Sequence, residues 1–131
     1  MKSYDYLKKL VMLERKESPL KIKSEAFSTR IIKMYRYLII EKKENVISKQ
    51  IYRSGTSVGA NIAESRYAQS RPDFVTKLSI ALKEAEETAY WIKCLRNGQY
   101  ITQTEFESIN NDVNELISML VSSIKTIKKN G

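Results

Sequence analysis

Three carboxylates and one guanidinium carry the residue types and spacings that suggest a reaction. Glu64 closes a polar series, Gln50, Arg53, Ser57, Asn61 and Glu64, whose steps of three and four put all five on one side of a helix. Glu84 and Glu87 stand three apart in a later segment. Glu64 with Glu84 or Glu87 would form a carboxylate pair suited to acid/base or metal work. The chain contains no histidine, which removes the commonest general base, the Ser/His and Cys/His nucleophile pairs and the usual zinc ligands. Di-metal bundles of the ferritin type need Glu-x-x-His pairs and go with it. The polar side reads better as a hydrogen-bond network that sets helix register, because a buried, unpaired Glu64 would be costly. An enzyme reading survives only if a carboxylate cluster proves to bind metal, and no cofactor or small-molecule substrate is expected.

The stretch that carries these polar residues, SGTSVGANIAES from Ser54 to Ser65, holds two of the four glycines. A glycine within a helix costs about 1 kcal/mol relative to alanine, so the pair needs an offset. Gly55 and Gly59 are four apart, the spacing that makes a thin strip on one helix face. The following helix offers Ala81, Ala85 and Ala89 at the same interval, and pairing of the two small-residue strips is the expected close contact. A phosphate-binding loop does not fit: a Walker loop requires G-x-x-x-x-G-K-[ST] after a strand, and here no lysine follows the second glycine.

Positive charge is the other chemically informative feature. The formal net charge is +8, and residues 1–69 hold 15 Lys and Arg against 7 Asp and Glu, while the remainder holds 8 of each. A basic half suggests an anionic partner such as RNA or DNA. Lys33, Arg36, Lys42, Lys43, Lys49, Arg53 and Arg66 are the candidate nucleic-acid-binding residues.

Four amphipathic segments must position these groups. Residues 25–43 place Phe27, Ile31, Met34, Tyr35, Leu38 and Ile39 on one face, and from Val46 the series Ile47, Ile51, Val58 and Ile62 runs through the glycine stretch. Phe74, Leu78, Ala81, Ala85, Thr88, Ile92 and Leu95 form a third stripe, and Phe106, Ile109, Val113, Leu116, Leu120, Ile124 and Ile127 a fourth. Ser70 with Asp73 and Thr102 with Glu105 have capping-box spacing, Pro72 suits a first turn, and Asn97-Gly98 suggests a left-handed stop. Short connections between such helices imply an all-α, antiparallel up-down four-helix bundle. Residues 21–131 make this domain, and residues 1–20, with Tyr4, Leu7, Leu10 and Val11, read as a short helical extension.

The length suits one domain. No apolar run approaches the roughly 20 residues of a membrane span, and the first residues lack a signal-peptide core, so a cytoplasmic protein without membrane association is expected. Cys94 is the single cysteine and reads as a core filler. Tyr90 and Trp91 lie off the third stripe and are candidate anchors for an oligomer interface.

The runs QIYRSGTSVGANIAES and DFVTKLSIALKEAEETAYWI resemble the 23S rRNA-intervening-sequence protein family. Gln50, Arg53, Ser57, Asn61, Ile62, Ala63 and Glu64 match its second-helix signature, and Phe74, Ile80, Ala81, Leu82 and Glu87 its third, over about residues 22–128. This chain departs from many members at Gly59 and Ala60, where proline and serine are common, and at Ala89, where a second glutamate is common. The resemblance implies a homopentamer around a central channel. It also implies kinship with accessory proteins of diversity-generating retroelements, which are basic and bind nucleic acid and a reverse transcriptase. Together these readings give a non-enzymatic, oligomeric bundle that binds nucleic acid, in particular structured RNA, through a basic surface. The alternative is an adaptor or scaffold whose partner is a polypeptide.

Overall fold

A computed structural model describes residues 18–130, and within them the chain forms four helices and no strand. They are α1 (Pro19–Ile40), α2 (Ile47–Ser65), α3 (Arg71–Asn97) and α4 (Gln103–Lys129). The expected helical extension, with Tyr4, Leu7, Leu10 and Val11, lies outside the described residues. Helix α1 begins six residues earlier than periodicity suggests, because the Ser18 hydroxyl accepts from the Lys21 N–H and Pro19 occupies the first turn. There its missing donor costs nothing.

The four stripes meet in one core. Helix α1 packs on α2 and α4, and α3 packs on the same two, so the helices close into a bundle. Phe27, Ile31 and Leu38 of α1 share this core with Ile51, Val58 and Ile62 of α2, Leu78, Ala81, Ala85, Ile92 and Leu95 of α3, and the whole apolar stripe of α4. The buried serine and threonine hydroxyls that enter it are satisfied. Thr88 Oγ1 sits 2.8 Å from Ser54 Oγ and 2.7 Å from the Glu84 carbonyl oxygen, in the fully buried contact between α2 and α3.

The glycine strip is a close-packing device, but its partner is not the alanine strip of α3. A Cβ on Gly55 would lie 2.8 Å from Ile31 Cγ1, and one on Gly59 would lie 3.1 Å from Ser28 Oγ and 3.4 Å from the Ser24 carbonyl oxygen, all on α1. Helical spacing identifies residues that share a face but not which neighbour that face meets. On α2 the Gly55 side borders α1, and the Ser54 side borders α3.

The helix ends explain the remaining turns. Thr102 and Glu105 form a reciprocal capping box, with the Thr102 N–H donating to Glu105 (2.8 Å) and the Glu105 N–H to Thr102 (3.1 Å). Ser70 caps α3 by accepting from the Asp73 N–H, while the Asp73 carboxylate takes the N–H of Gln69. The left-handed residue after α3 is Gln99 (φ 64°), whereas Gly98 keeps a negative φ. That placement lets the Tyr100 N–H reach the Leu95 carbonyl at 2.9 Å and returns Ile101 to the core. The Arg96 guanidinium lies 4.0 Å over the Phe106 ring and ties the end of α3 to the start of α4.

Candidate nucleic-acid interface

Lys33 and Arg36 project from α1, Lys42 and Lys43 lie in the connection to α2, and Lys49 and Arg53 lie on α2. All six are exposed, and Arg66, at the C-terminal cap of α2, is half-buried. Lys49 and Arg66 are 17 residues apart, about 25 Å at a rise of about 1.5 Å per residue, so Arg66 stands well away from the others. Among the described residues, Lys33, Arg36, Lys42, Lys43, Lys49 and Arg66 form no ion pair. Lys42 lies 5.9 Å from the Tyr37 ring centroid, near enough for a cation–π contact.

Arg53 differs from this group. Its guanidinium reaches Glu84 at 3.3 Å and makes a closer bond to Glu87, with Gln50 at 3.5 Å. Two carboxylates on α3 therefore balance its charge, and it bridges two helices. Glu87 also accepts from the Trp91 indole N–H at 3.0 Å. The polar side of α2 is thus divided. Gln50, Arg53, Glu84, Glu87 and Trp91 form one cluster, and Glu64 pairs with Lys77 at 3.2 Å. Ser57 and Asn61 each bond the carbonyl one turn back on their own helix. The side flanks the α2–α3 seam, with Arg53 about half exposed. The carboxylate pair proposed from spacing is instead shared between Arg53 and Lys77. Among the described residues, no group of three or more His, Cys, Asp or Glu side chains is placed to hold a metal ion.

Trp91 is half-buried against the core, and Tyr90 is 59% exposed, with its ring edge-on to the indole at 5.1 Å. Of the two interface candidates, Tyr90 is the free surface and Trp91 its support. On the opposite side of α2, Tyr52 meets Tyr35 of α1, centroids 4.9 Å apart and rings tilted by 55°. Periodicity places Tyr35 in the core stripe and gives Tyr52 no role; the ring pair, half-buried at Tyr35 and exposed at Tyr52, arises because the two helices bring these positions together.

Glu44 is a further residue that spacing did not reveal. It reads as a break between two helices, yet its side chain is buried and caps α2: the carboxylate accepts from the N–H groups of Val46 (2.9 Å), Ile47 (2.8 Å) and Ser48 (2.7 Å). Burial works against its charge, but the bonds from Ile47, Ser48 and Val46 together outweigh it and hold the carboxyl below its ordinary range. The Ser18, Ser70 and Thr102 caps follow familiar sequence signatures; a glutamate three residues before a helix does not.

No described helix is long and apolar enough to cross a membrane. No curated protein matches the chain. A crystal structure at 1.70 Å of a protein with unknown function from the S23 ribosomal protein family, from Bacteroides thetaiotaomicron VPI-5482, is 56% identical. The match covers 81% of this chain and 95% of that one, with a TM-score of 0.80. The family model for 23S rRNA-intervening sequence protein matches residues 16–122. With the same four-helix architecture in the solved structure and the signature residues of α2 and α3 inside the matched range, the chain belongs to the 23S rRNA-intervening sequence protein family.

Proposed function

We propose that the protein is a non-enzymatic, self-associating helical bundle that binds structured RNA through the basic half formed by α1, α2 and their connection. The observation that carries this reading is the distribution of charge pairing. Arg53 is neutralised by Glu84 and Glu87, whereas Lys33, Arg36, Lys42, Lys43 and Lys49 have no carboxylate partner among the described residues. Unpaired surface cations are available to phosphates, and contacts of that kind give affinity with little reading of sequence. The reading takes the helices as running up and down in antiparallel order. Contacts of Arg30 with Asp112, Ser54 with Thr88 and Arg71 with Ile127 support that course. In a homopentamer, the assembly implied by family resemblance, a modest basic face would recur fivefold and strengthen attraction to a polyanion.

The test is a mobility-shift titration with rRNA fragments across a salt series, run with a mass measurement of the assembly. The expected result is binding whose log K falls linearly with log salt, by about 0.7–0.9 per phosphate contact, and changes little between fragments of different sequence. An intact oligomer that shifts no RNA at low salt overturns it. A second reading, a scaffold for a polypeptide partner, draws on the exposure of Tyr90 beside Trp91. Stoichiometric co-purification of one protein, with no RNA shift, would favour it.

A further inference from the structure

The outer seam between α1 and α2 combines two features that the phosphate-binding reading does not use together. Tyr35 and Tyr52 meet across it at 4.9 Å, and Tyr52 remains 42% exposed. Ile32, 40% exposed, lies one turn before Tyr35 and Arg36. Arg36 is four residues after Ile32 and shares its exposed face of α1, and Lys49 lies three residues before Tyr52, hence beside it on the surface of α2. Neither tyrosine hydroxyl has a hydrogen-bond partner among the described residues, and neither cation has a carboxylate there. The two acids between Ile32 and Thr56 are Glu41 and Glu44. Glu44 is buried and held by three backbone amides and Glu41 caps the far end of α1, while Lys33, Arg36, Lys42, Lys43 and Lys49 lie in the same stretch, so cations outnumber acids along the seam.

An exposed aromatic face set between unpaired cations is the arrangement that holds single-stranded nucleic acid: bases stack on the ring and the flanking phosphates meet the charges. A buried apolar partner is a poor fit, because Arg36 and Lys49 would have to be desolvated without counter-charges. We infer that the Tyr35–Tyr52 seam is a stacking platform for an unpaired base of single-stranded RNA, with Arg36 and Lys49 on the adjoining phosphates. The inference rests on the RNA-binding reading and narrows it from a diffuse basic surface to one place and one nucleic-acid form.

The experiment measures affinity of the full chain for a 12-nucleotide oligoadenylate, for its deoxy counterpart and for a blunt RNA hairpin, about 12 nucleotides being within the site sizes such grooves cover. The expected result is tighter binding of the single strand than of the hairpin. Tyr52→Ala should weaken the single strand by about 5-fold to about 100-fold and leave the hairpin unchanged. Tyr52→Phe should retain binding, since the ring face does the stacking. Tyr52→Leu, which keeps apolar cover over Tyr35 but lacks a flat face, should behave like Tyr52→Ala and guards against a folding artefact. Arg36→Gln and Lys49→Gln should each lower the single-strand salt slope by about 0.7. Equal losses on hairpin and single strand, or none on either, overturn the platform while leaving the basic-surface reading standing. Absence of binding to all three probes at low salt overturns both. Binding of the deoxy strand that falls by the same factor in Tyr52→Ala supports the stacking contact, which engages the base rather than the sugar.

Discussion

Gly55 and Gly59 share a spacing but not an environment. An alanine at Gly55 would gain about 1 kcal/mol of helix propensity, yet its Cβ would lie 2.8 Å from Ile31 Cγ1. Ile31 is fully buried and β-branched, so its side chain cannot swing aside, and overpacking of this kind costs about 1–3 kcal/mol. Gly59 faces a rotatable hydroxyl at 3.1 Å and a carbonyl at 3.4 Å, so alanine needs only a small adjustment there. The expected order of denaturation midpoints is wild type above Gly55→Ala, with Gly59→Ala the milder of the two changes. Gly59→Leu, driven into the α1 backbone at Ser24, should cause a large loss. A Gly55→Ala midpoint at or above wild type would show that the α1–α2 contact is looser than its geometry implies. The four-residue spacing of small side chains was legible in the sequence; the identity of the opposing helix was not, since a wheel diagram orders the faces of α2 without saying which helix lies against each.

At the scale of the element, α2 depends on a residue outside it. Its first turn presents backbone N–H groups with no helical partner, and Glu44 receives three of them while its charge complements the helix dipole. The folded-state pKa of Glu44 is depressed, so the native state binds fewer protons at this site than the unfolded chain, whose glutamate pKa is about 4.3. Its contribution is therefore complete above that value and is lost as pH falls through the lower folded-state value. Glu44→Gln should lower stability near neutral pH by about 1.5–3 kcal/mol, the range for hydrogen bonds to a charged group. It should also flatten the acid limb of a stability-versus-pH curve. A variant with the same acid limb as wild type would assign the pH dependence to other carboxylates. The surface pair Lys23–Glu115 (2.6 Å) also raises the lysine pKa, but both side chains are about half exposed and such pairs add little.

For the molecule as a whole, the assembly reading turns on the outer face of α3. Tyr90 is exposed, and Trp91, held by Glu87 and half-buried, gives it a rigid backing. Aromatic anchors set in this way are typical of contact centres. Tyr90→Ser should leave the helical content and melting temperature near wild type and shift the solution mass towards the monomer, as read by light scattering. A wild-type mass equal to one chain would remove the oligomer from the proposal, and an unchanged oligomer in the variant would place the contact elsewhere. The Tyr35–Tyr52 seam joins α1 and α2, whereas Tyr90 is exposed on α3, so an RNA-binding surface and a subunit contact can coexist on one bundle.

Much of this architecture follows from local chemistry. Four apolar stripes at helical period, the Ser70 and Thr102 caps and the continuity of α2 through SGTSVGANIAES depend on residues within a few positions of one another, and short-range rules reach them. The signature positions from Gln50 to Glu87 were legible for the same reason. Four features required the folded chain: the glycine strip set against α1, the bridging of Arg53 to Glu84 and Glu87, the Tyr35–Tyr52 pair, and Glu44 as the cap of α2. The first three join residues at least 17 positions apart, and the fourth depends on a loop conformation with Lys43 at positive φ. Periodicity orders side chains around each axis, but the rotation of one helix against the next is a property of the packed core, and it determines which surface charges are paired and which remain open to a ligand.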